Sequence, residues 1–74
     1  MMNVKETFGE KIKDLREEMN VTQGSLGERL QMTQRKISYI ECGKYEQSID
    51  DIRTFCRFFN VSADFLLGLE SMKK

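Results

Sequence analysis

The segment from Gln23 to Glu41 constrains the fold of this chain more than any other feature of its sequence. Its apolar residues recur at the spacing of a helix face, and this spacing is interrupted once in the middle of the segment. A small residue directly follows the first apolar residue. These residues are Leu26, Gly27, Leu30, Met32, Ile37 and Ile40. The spacing predicts two short helices that cross at a turn of about three residues. The outer face of the second helix is polar and is therefore expected to face solvent.

The chain as a whole predicts a single all-α domain. Its 74 residues include no proline, and 39% of them are hydrophobic, which suffices for one modest core. Apolar stripes with a period of about 3.6 residues can be followed over five segments. We therefore expect a compact five-helix domain at residues 1–69 and a frayed tail at residues 70–74.

The first helix is expected to begin near Asn3 or Thr7 and to end at Met19. Thr7 and Glu10 have the spacing of a capping box. Asn20 tolerates the left-handed conformation that often ends a helix. The residues expected on the inner face of this helix are Phe8, Ile12, Leu15 and Met19.

Each of the other four helices is preceded by a serine or threonine whose hydroxyl can cap it. The expected caps are Thr22, Thr33, Ser48 and Ser62. The expected ends lie near Leu30, Gly43, Asn60 and Gly68. In the second helix, Gly27 predicts a close approach to a neighbour, because a larger side chain would have no room there.

Composition argues against an enzyme and against a metal site. The chain has no histidine, which removes the commonest general base and the commonest metal ligand. Cys42 and Cys56 form no ligand cluster and are expected to be reduced thiols in a cytoplasmic protein. No apolar run approaches the roughly 20 residues of a membrane span, and no signal peptide is recognisable. We expect no cofactor, no membrane association and no small-molecule ligand.

The charge balance is unusual for a protein that binds nucleic acid. Twelve basic residues meet 12 acidic ones, so the net charge is zero. Three of the cations, Arg35, Lys36 and Lys44, lie within one short part of the chain, however, with Glu41 as the acidic residue between them. A neutral total predicts weak non-specific binding to nucleic acid and does not exclude specific binding.

Five pieces of the sequence follow one another at the spacing of a known family. They are GEKIKDLREE at residues 9–18, VTQGSLGERL at 21–30, MTQRKISYIE at 32–41, GK at 43–44 and FNVSADFLLG at 59–68. Over residues 9–68 the chain resembles the phage repressor and Cro-like helix-turn-helix domains, whose fold is lambda repressor-like. The resemblance implies a bacterial or phage regulator of transcription that usually binds operator DNA as a dimer.

The sequence departs from the pattern of these domains at three positions. Gln31 stands where the turn usually has glycine, so a left-handed conformation there would cost about 1–2 kcal/mol. Gln47 stands where a proline often precedes the fourth helix, and Cys42 replaces a residue that is usually polar. The first two departures concern stability, and the third concerns contacts with the DNA backbone.

The start of the third helix is the expected site of base recognition. Gln34 can pair with adenine and Arg35 with guanine through two hydrogen bonds each, worth about 1–3 kcal/mol of discrimination. The resemblance implies that these two side chains and Tyr39 read bases. Tyr39 can contact a thymine methyl group or, alternatively, donate a hydrogen bond to a phosphate. The alternative is that residues 34–39 form only a solvated helix face.

Further DNA contacts are expected around this helix. The resemblance implies that Gln23 bonds a phosphate oxygen and buttresses the third helix. Thr33 can combine helix capping with a phosphate contact through the same hydroxyl. Lys36 and Ser38 on the helix and Lys44 after it are further candidates, although a loop lysine such as Lys44 is often simply solvated.

Arg16 and Glu41 are expected to serve the fold. Arg16 lies four residues after Ile12, and Glu41 lies four residues after Ile37, so both charges fall on inward stripes. An unpaired buried ion costs several kcal/mol, so each needs a partner. The resemblance implies a salt bridge between these two positions. The alternative is two independently solvated charges.

Apolar residues near the C terminus raise the question of self-association. Phe58 lies off the expected buried stripe of the fourth helix, and Phe65, Leu67 and Leu69 exceed what one short helix can hide. A homodimer formed through these residues would present two recognition helices to a palindromic operator. Alternatively, the same residues pack back on the first helix.

Two functions from different classes follow. The first is a sequence-specific DNA-binding regulator of transcription, expected to be a repressor, that inserts the third helix into the major groove of double-stranded DNA. The alternative is a protein-interaction module that keeps the fold and has lost DNA binding, which the neutral net charge favours. An enzyme is the least favoured reading.

Overall fold

The computed structural model describes the backbone of residues 4–69 and the side chains of residues 7–69. Five α-helices follow one another, namely α1 Val4–Glu18, α2 Gln23–Leu30, α3 Gln34–Glu41, α4 Ile49–Phe59 and α5 Ala63–Leu66. No strand occurs within these described residues. The predicted all-α fold with five helices is therefore confirmed.

The four predicted N-caps are confirmed. In each, the cap hydroxyl accepts a hydrogen bond from the backbone N–H three residues later, at 3.0 or 3.1 Å between oxygen and nitrogen. The capping residues are Thr22, Thr33, Ser48 and Ser62. Each hydroxyl supplies a partner to an N–H group that the helix itself leaves unpaired. At α4 the carboxylate of Asp51 also accepts from the N–H of Ser48, which completes a capping box.

The boundaries of α1 differ from the expectation. Because α1 already contains Thr7, the predicted capping box of Thr7 and Glu10 is wrong. The alternative start near Asn3 agrees better, although Asn3 lies outside the described residues, as does the expected tail at residues 70–74. Met19 follows the end of α1 and is 43% exposed, so its expected place in the core is also wrong. The left-handed Asn20 turns the chain immediately after it, at a φ of 58°.

The turn between α2 and α3 is built on Gln31, which adopts the left-handed conformation at φ 59° and ψ 41°. This places the N–H of Met32 2.8 Å from the carbonyl oxygen of Gly27, which closes the end of α2. A β-carbon on Gly27 would lie 2.5 Å from the carbonyl oxygen of Met32. The expected close approach at Gly27 therefore exists, and its partner is the backbone of the turn.

The core receives side chains from all five helices. Its buried members are Phe8, Ile12, Leu15, Leu26, Ile37, Ile40, Phe55, Val61, Phe65 and Leu66. Phe8 of α1 packs edge to face on Phe55 of α4, with ring centres 5.7 Å apart. A β-carbon on Gly9 would overlap the carbonyl oxygen of Ile40, so α1 lies directly against the backbone of α3. This contact fixes the position of the C-terminal end of α3 against α1.

Candidate nucleic-acid interface

The first turn of α3 carries two exposed polar side chains. Gln34 and Arg35 follow the N-cap Thr33 and face solvent. Ile37 and Ile40 have no exposed surface and hold the other side of the same helix in the core. Because one face is fixed by burial, the opposite face is presented at a defined angle. Both polar residues lie where the sequence predicts them.

Tyr39 extends the exposed face of α3. Its side chain is 47% exposed, whereas Ser38 beside it is half-buried. Thr33 is exposed, and its hydroxyl oxygen lies 3.0 Å from the backbone nitrogen of Lys36. The capping role expected of Thr33 is therefore present. Gln34, Arg35 and Tyr39 together offer hydrogen-bond donors and acceptors on one accessible surface.

The N-terminus of α2 lies beside the N-terminus of α3. A β-carbon built on Gly24 would stand 3.6 Å from Oε1 of Gln34, so these two residues are neighbours. Two helix N-termini therefore meet at one edge of the domain. Each contributes unpaired backbone N–H groups and the positive end of a helix dipole, and both features attract anions.

A hydrogen-bonded network of three side chains joins α1, α2 and α3. Nε of Arg16 lies 2.6 Å from Oε2 of Glu41, and Nη2 lies 3.1 Å from Oε1. Nε2 of Gln23 donates to the same Oε1 at 3.1 Å. The Arg16 and Glu41 side chains are 13% and 3% exposed, so the ion pair implied by the resemblance is present and largely buried. The hydrogen bond from Gln23 to Glu41 is the contact by which Gln23 supports α3, as expected.

The same network also fixes the chain between α1 and α2. Nη1 of Arg16 donates to the carbonyl oxygen of Val21 at 2.8 Å. The hydrogen bond from the guanidinium to Glu41 raises the pKa of Arg16 and outweighs the lowering by burial. One guanidinium group therefore holds both the carboxylate at the end of α3 and the loop that leads into α2.

Lys36 does not share the exposed face of its neighbours. Its Nζ lies 3.0 Å from Oδ1 of Asp51 in α4, and their side chains are 29% and 7% exposed. The expectation that Lys36 extends from the outer face of α3 is wrong, because its ammonium group is turned toward α4. Burial lowers the pKa of Lys36, but the hydrogen bond and charge of Asp51 outweigh it, so the pKa is raised.

The pKa of Asp51 is shifted in the opposite direction to that of Lys36. Burial raises the pKa of its carboxyl group, but the hydrogen bonds from Ser48 and Lys36 outweigh that effect, so its pKa lies below the ordinary value. The sequence analysis missed the role of Asp51 as the partner of Lys36. Lys36 and Asp51 lie 15 positions apart in the sequence, and no local pattern reveals the pairing.

Lys44 follows α3 in an exposed segment. Gly43 adopts a φ of 74°, and the N–H of Lys44 bonds the carbonyl oxygen of Tyr39 at 2.9 Å. The backbone of Lys44 is thus fixed to the end of α3, while its side chain faces solvent. This arrangement places a cation at the opposite end of α3 from Gln34 and Arg35.

The residues expected at a dimer interface do not form one exposed face. Phe65 is 8% exposed and belongs to the core, with Nζ of Lys11 from α1 4.9 Å from its ring centre. For Phe65 the expected exposure is therefore wrong, and the alternative of packing on the first helix is correct. Phe58 and Leu67 are half-buried, and Leu69 is 73% exposed.

One surface groove was not foreseen from the sequence. It lies between the end of α2 and the exposed side of α4 and has a volume of about 430 Å³. Its lining residues are Leu30, Asp50, Arg53, Thr54, Arg57 and Phe58. Within the described part of the chain, no group of three or more acidic or cysteine side chains could hold a metal ion. No described helix has the length and apolar character needed to cross a membrane.

Comparisons with known proteins agree with this geometry. Residues 7–66 match a family described as a helix-turn-helix domain. The HTH-type transcriptional activator BcrR of Enterococcus faecalis is 35% identical over 65 residues, which are 88% of this chain and 32% of that protein. The chain thus spans about a third of the length of this relative. The crossing of α2 and α3 falls within the matched region. The chain belongs to the helix-turn-helix domain family.

Proposed function

We propose that this domain binds double-stranded DNA with sequence preference and thereby regulates transcription. The observation that carries the proposal is the exposed pair of Gln34 and Arg35 on a helix whose other side is buried through Ile37 and Ile40. A helix of this kind fits the major groove. There, glutamine and arginine can each form two hydrogen bonds, with adenine and guanine respectively. Tyr39 is the third proposed base contact, through a thymine methyl group.

Phosphate contacts would set the register of α3 in the groove. The proposed groups are the hydroxyl of Thr33, the amide of Gln23, the hydroxyl of Ser38 and the ammonium group of Lys44. Backbone N–H groups at the start of α2 lie beside Gln34 and can join them. Such contacts carry no sequence information, but they orient the side chains that do.

The ion pairs inside the protein set the expected salt dependence. Because Lys36 is paired with Asp51, Arg35 and Lys44 are the cations of the proposed surface. Each cation that neutralises a phosphate contributes about 0.9 to the slope of log affinity against log salt. Arg35 is assigned to guanine and Lys44 to a phosphate, so we expect a slope of about −0.9 for each bound domain. This value is small for a DNA-binding protein and agrees with the neutral net charge.

Repression by occupation of a promoter is the regulatory outcome we propose, within the phage repressor and Cro-like branch and in the bacterial cytoplasm. The motifs at residues 9–68 support this branch. Activation is the second candidate, because BcrR is named a transcriptional activator. The two outcomes share the same mode of DNA binding and differ in where the site lies relative to the polymerase.

A homodimer on a palindromic site is the proposed assembly. The apolar residues available to it are Leu69, which is exposed, and Phe58 and Leu67, which are half-buried. Two copies would place their α3 helices about one DNA turn apart, roughly 34 Å. Sedimentation with and without the selected DNA tests this assembly, and one copy per site would contradict it.

Selection of bound duplexes from a random library tests the function as a whole. We expect enrichment of one motif, whose binding weakens with salt at the slope given above. A variant with Gln34 and Arg35 both changed to alanine should lose preference at the base pairs that these two side chains contact. Absence of binding to every duplex at low salt would contradict the proposal and favour the protein-interaction module instead.

A further inference from the structure

Lys36 is the third residue of the proposed recognition helix, yet its ammonium group pairs with a carboxylate inside the protein. Its Nζ is 3.0 Å from Oδ1 of Asp51 in the first turn of α4. The Asp51 residue is 5% exposed, and its side chain is 7% exposed. A carboxylate buried to this degree requires a partner, since breaking such a pair leaves an uncompensated charge in a medium of low dielectric constant.

Both oxygens of the Asp51 carboxylate are engaged. Oδ1 accepts from Lys36, and Oδ2 accepts from the backbone N–H of Ser48 at 3.1 Å. The backbone N–H of Asp51 in turn donates to the hydroxyl of Ser48 at 3.1 Å. The capping box that starts α4 is therefore also the anchor that receives Lys36. A single carboxylate joins α3 to the beginning of α4.

Lys36 also contacts the segment that connects these two helices. Its Nζ lies 5.2 Å from the ring centre of Tyr45, a distance at which the ammonium group is attracted to the aromatic face. Tyr45 directly follows Lys44, the proposed phosphate contact. One lysine side chain thus restrains α3, the start of α4 and the segment between them.

The pairing at Lys36 complements the network at the other end of α3. Glu41 ties the last turn of that helix to α1 and α2, whereas Lys36 ties its first half to α4. A direct phosphate contact by Lys36 would compete with Asp51 for the charge of its ammonium group. If the ammonium group left Asp51, the buried carboxylate would keep only its hydrogen bond from the backbone N–H of Ser48 and lose its compensating charge, so the contact is unfavourable.

We propose that Lys36 is a positioning residue, which fixes the orientation of α3 and of the segment carrying Lys44 and does not itself bind DNA. The inference rests on the proposed function. It separates Lys36 from Arg35, its neighbour in sequence, although both are cations on the same helix. It also assigns part of the DNA-binding geometry to Asp51, a buried acid for which no DNA contact is proposed.

The variant Asp51→Asn distinguishes a positioning role of Lys36 from a DNA contact by Lys36, because the two roles predict opposite changes in the affinity for DNA. The variant removes a negative charge, so electrostatics alone would strengthen binding to DNA, and a released Lys36 would be free to reach a phosphate. If Lys36 is a positioning residue, binding to the selected duplex should weaken, on the order of tenfold, as for one misaligned charged hydrogen bond. Asp50→Asn is the matched control, because it removes the same charge from an exposed position in the same turn.

The slope of affinity against salt gives an independent readout. Lys36→Met should weaken binding and leave the slope near −0.9, whereas Lys44→Gln should bring it close to zero. Lys36→Arg keeps the pair and should restore most of the affinity. The double variant of Lys36→Met with Asp51→Asn should bind no more weakly than either single variant, because both remove the same interaction.

Two results would overturn the inference while leaving the proposed function intact. One is a wild-type protein that binds its duplex while Asp51→Asn binds equally well or better. The other is a loss of about 0.9 from the slope in Lys36→Met. A wild-type protein that binds no duplex overturns the function and this role of Lys36 together. If either single variant fails to fold by circular dichroism, the other and Lys36→Arg decide the question.

Discussion

Replacing Arg16 with alanine leaves the carboxylate of Glu41 buried without its strongest partner. The Glu41 side chain is 3% exposed and loses two hydrogen bonds from the guanidinium, at 2.6 and 3.1 Å. Gln23 remains as a neutral donor at 3.1 Å. Removing one member of a buried ion pair costs about 3–5 kcal/mol. The carbonyl oxygen of Val21 loses its bond from the same guanidinium, which places the expected loss toward the upper end.

This loss is large relative to the stability of a small domain. At about 0.05–0.15 kcal/mol per residue, a chain of this length has roughly 4–11 kcal/mol of unfolding free energy. Urea unfolding followed by circular dichroism measures the change. With an m-value near 1 kcal/mol per molar, the midpoint should fall by about 3 M or more.

Arg53→Ala is the matched control for Arg16→Ala. Arg53 is also a helical arginine, but it is exposed on α4, so its removal should change the free energy of unfolding by less than about 0.5 kcal/mol. Replacing Arg16 and Glu41 together by methionine removes both charges and should recover most of the loss. An Arg16→Ala variant that loses less than about 0.5 kcal/mol would refute the reasoning from burial.

Three further predictions concern stability, and urea unfolding measures each of them. Gly9→Ala should destabilise by about 3 kcal/mol, because the new methyl group overlaps the carbonyl oxygen of Ile40; an unchanged midpoint would contradict the close packing of α1 on α3. Gln31→Gly should stabilise by about 1 kcal/mol, because glycine adopts the left-handed conformation without strain, and a loss would contradict the assigned turn. The stability that Asp51 gains from its lowered pKa is present above its ordinary pKa of 3.8 and is lost as the pH falls through its pKa in the folded state. The stability that Lys36 gains from its raised pKa is present below its ordinary pKa of 10.5 and is lost as the pH rises through its pKa in the folded state. The stability difference between wild type and Asp51→Asn should therefore be constant between about pH 4 and 10 and shrink below pH 3.8, and a difference independent of pH would contradict the pairing.

The elements of the fold could be predicted because their signals are local. Thr22, Thr33 and Ser48 each precede a helical stripe, and a cap requires only the N–H three residues later. The left-handed Asn20 is local in the same sense, since the conformation depends on that residue's own side chain. Such features need no knowledge of how the helices pack.

The residues whose positions were predicted wrongly are those whose positions depend on packing between distant parts of the chain. Met19 continues the apolar stripe of α1 in sequence, but the helix has ended before it, so the helical period no longer applies. The sequence predicts Phe65 as exposed apolar surface, but in the structure α1 lies against it. Lys36 and Asp51 pair across α3 and α4, and no sequence period connects them. Sequence alone therefore predicts helices more reliably than the directions in which their charged side chains point.

The separation of charges explains how a neutral chain can still offer a surface to DNA. Arg16 and Lys36 neutralise Glu41 and Asp51 within the fold, and these pairs hold α3 at two places. Arg35, by contrast, lies on the exposed side of the same helix. The net charge of the sequence thus counts structural cations together with those available to a partner, and only the second kind affects binding.

The most direct test compares the DNA motifs selected by the wild-type protein and by the variant with alanine at positions 34 and 35. If Gln34 and Arg35 read bases, the variant should lose preference at the base pairs they contact, with about 1–3 kcal/mol of discrimination lost for each. Preference at the remaining positions and the folded circular dichroism spectrum should persist. An identical motif selected by both proteins would contradict base recognition by the first turn of α3.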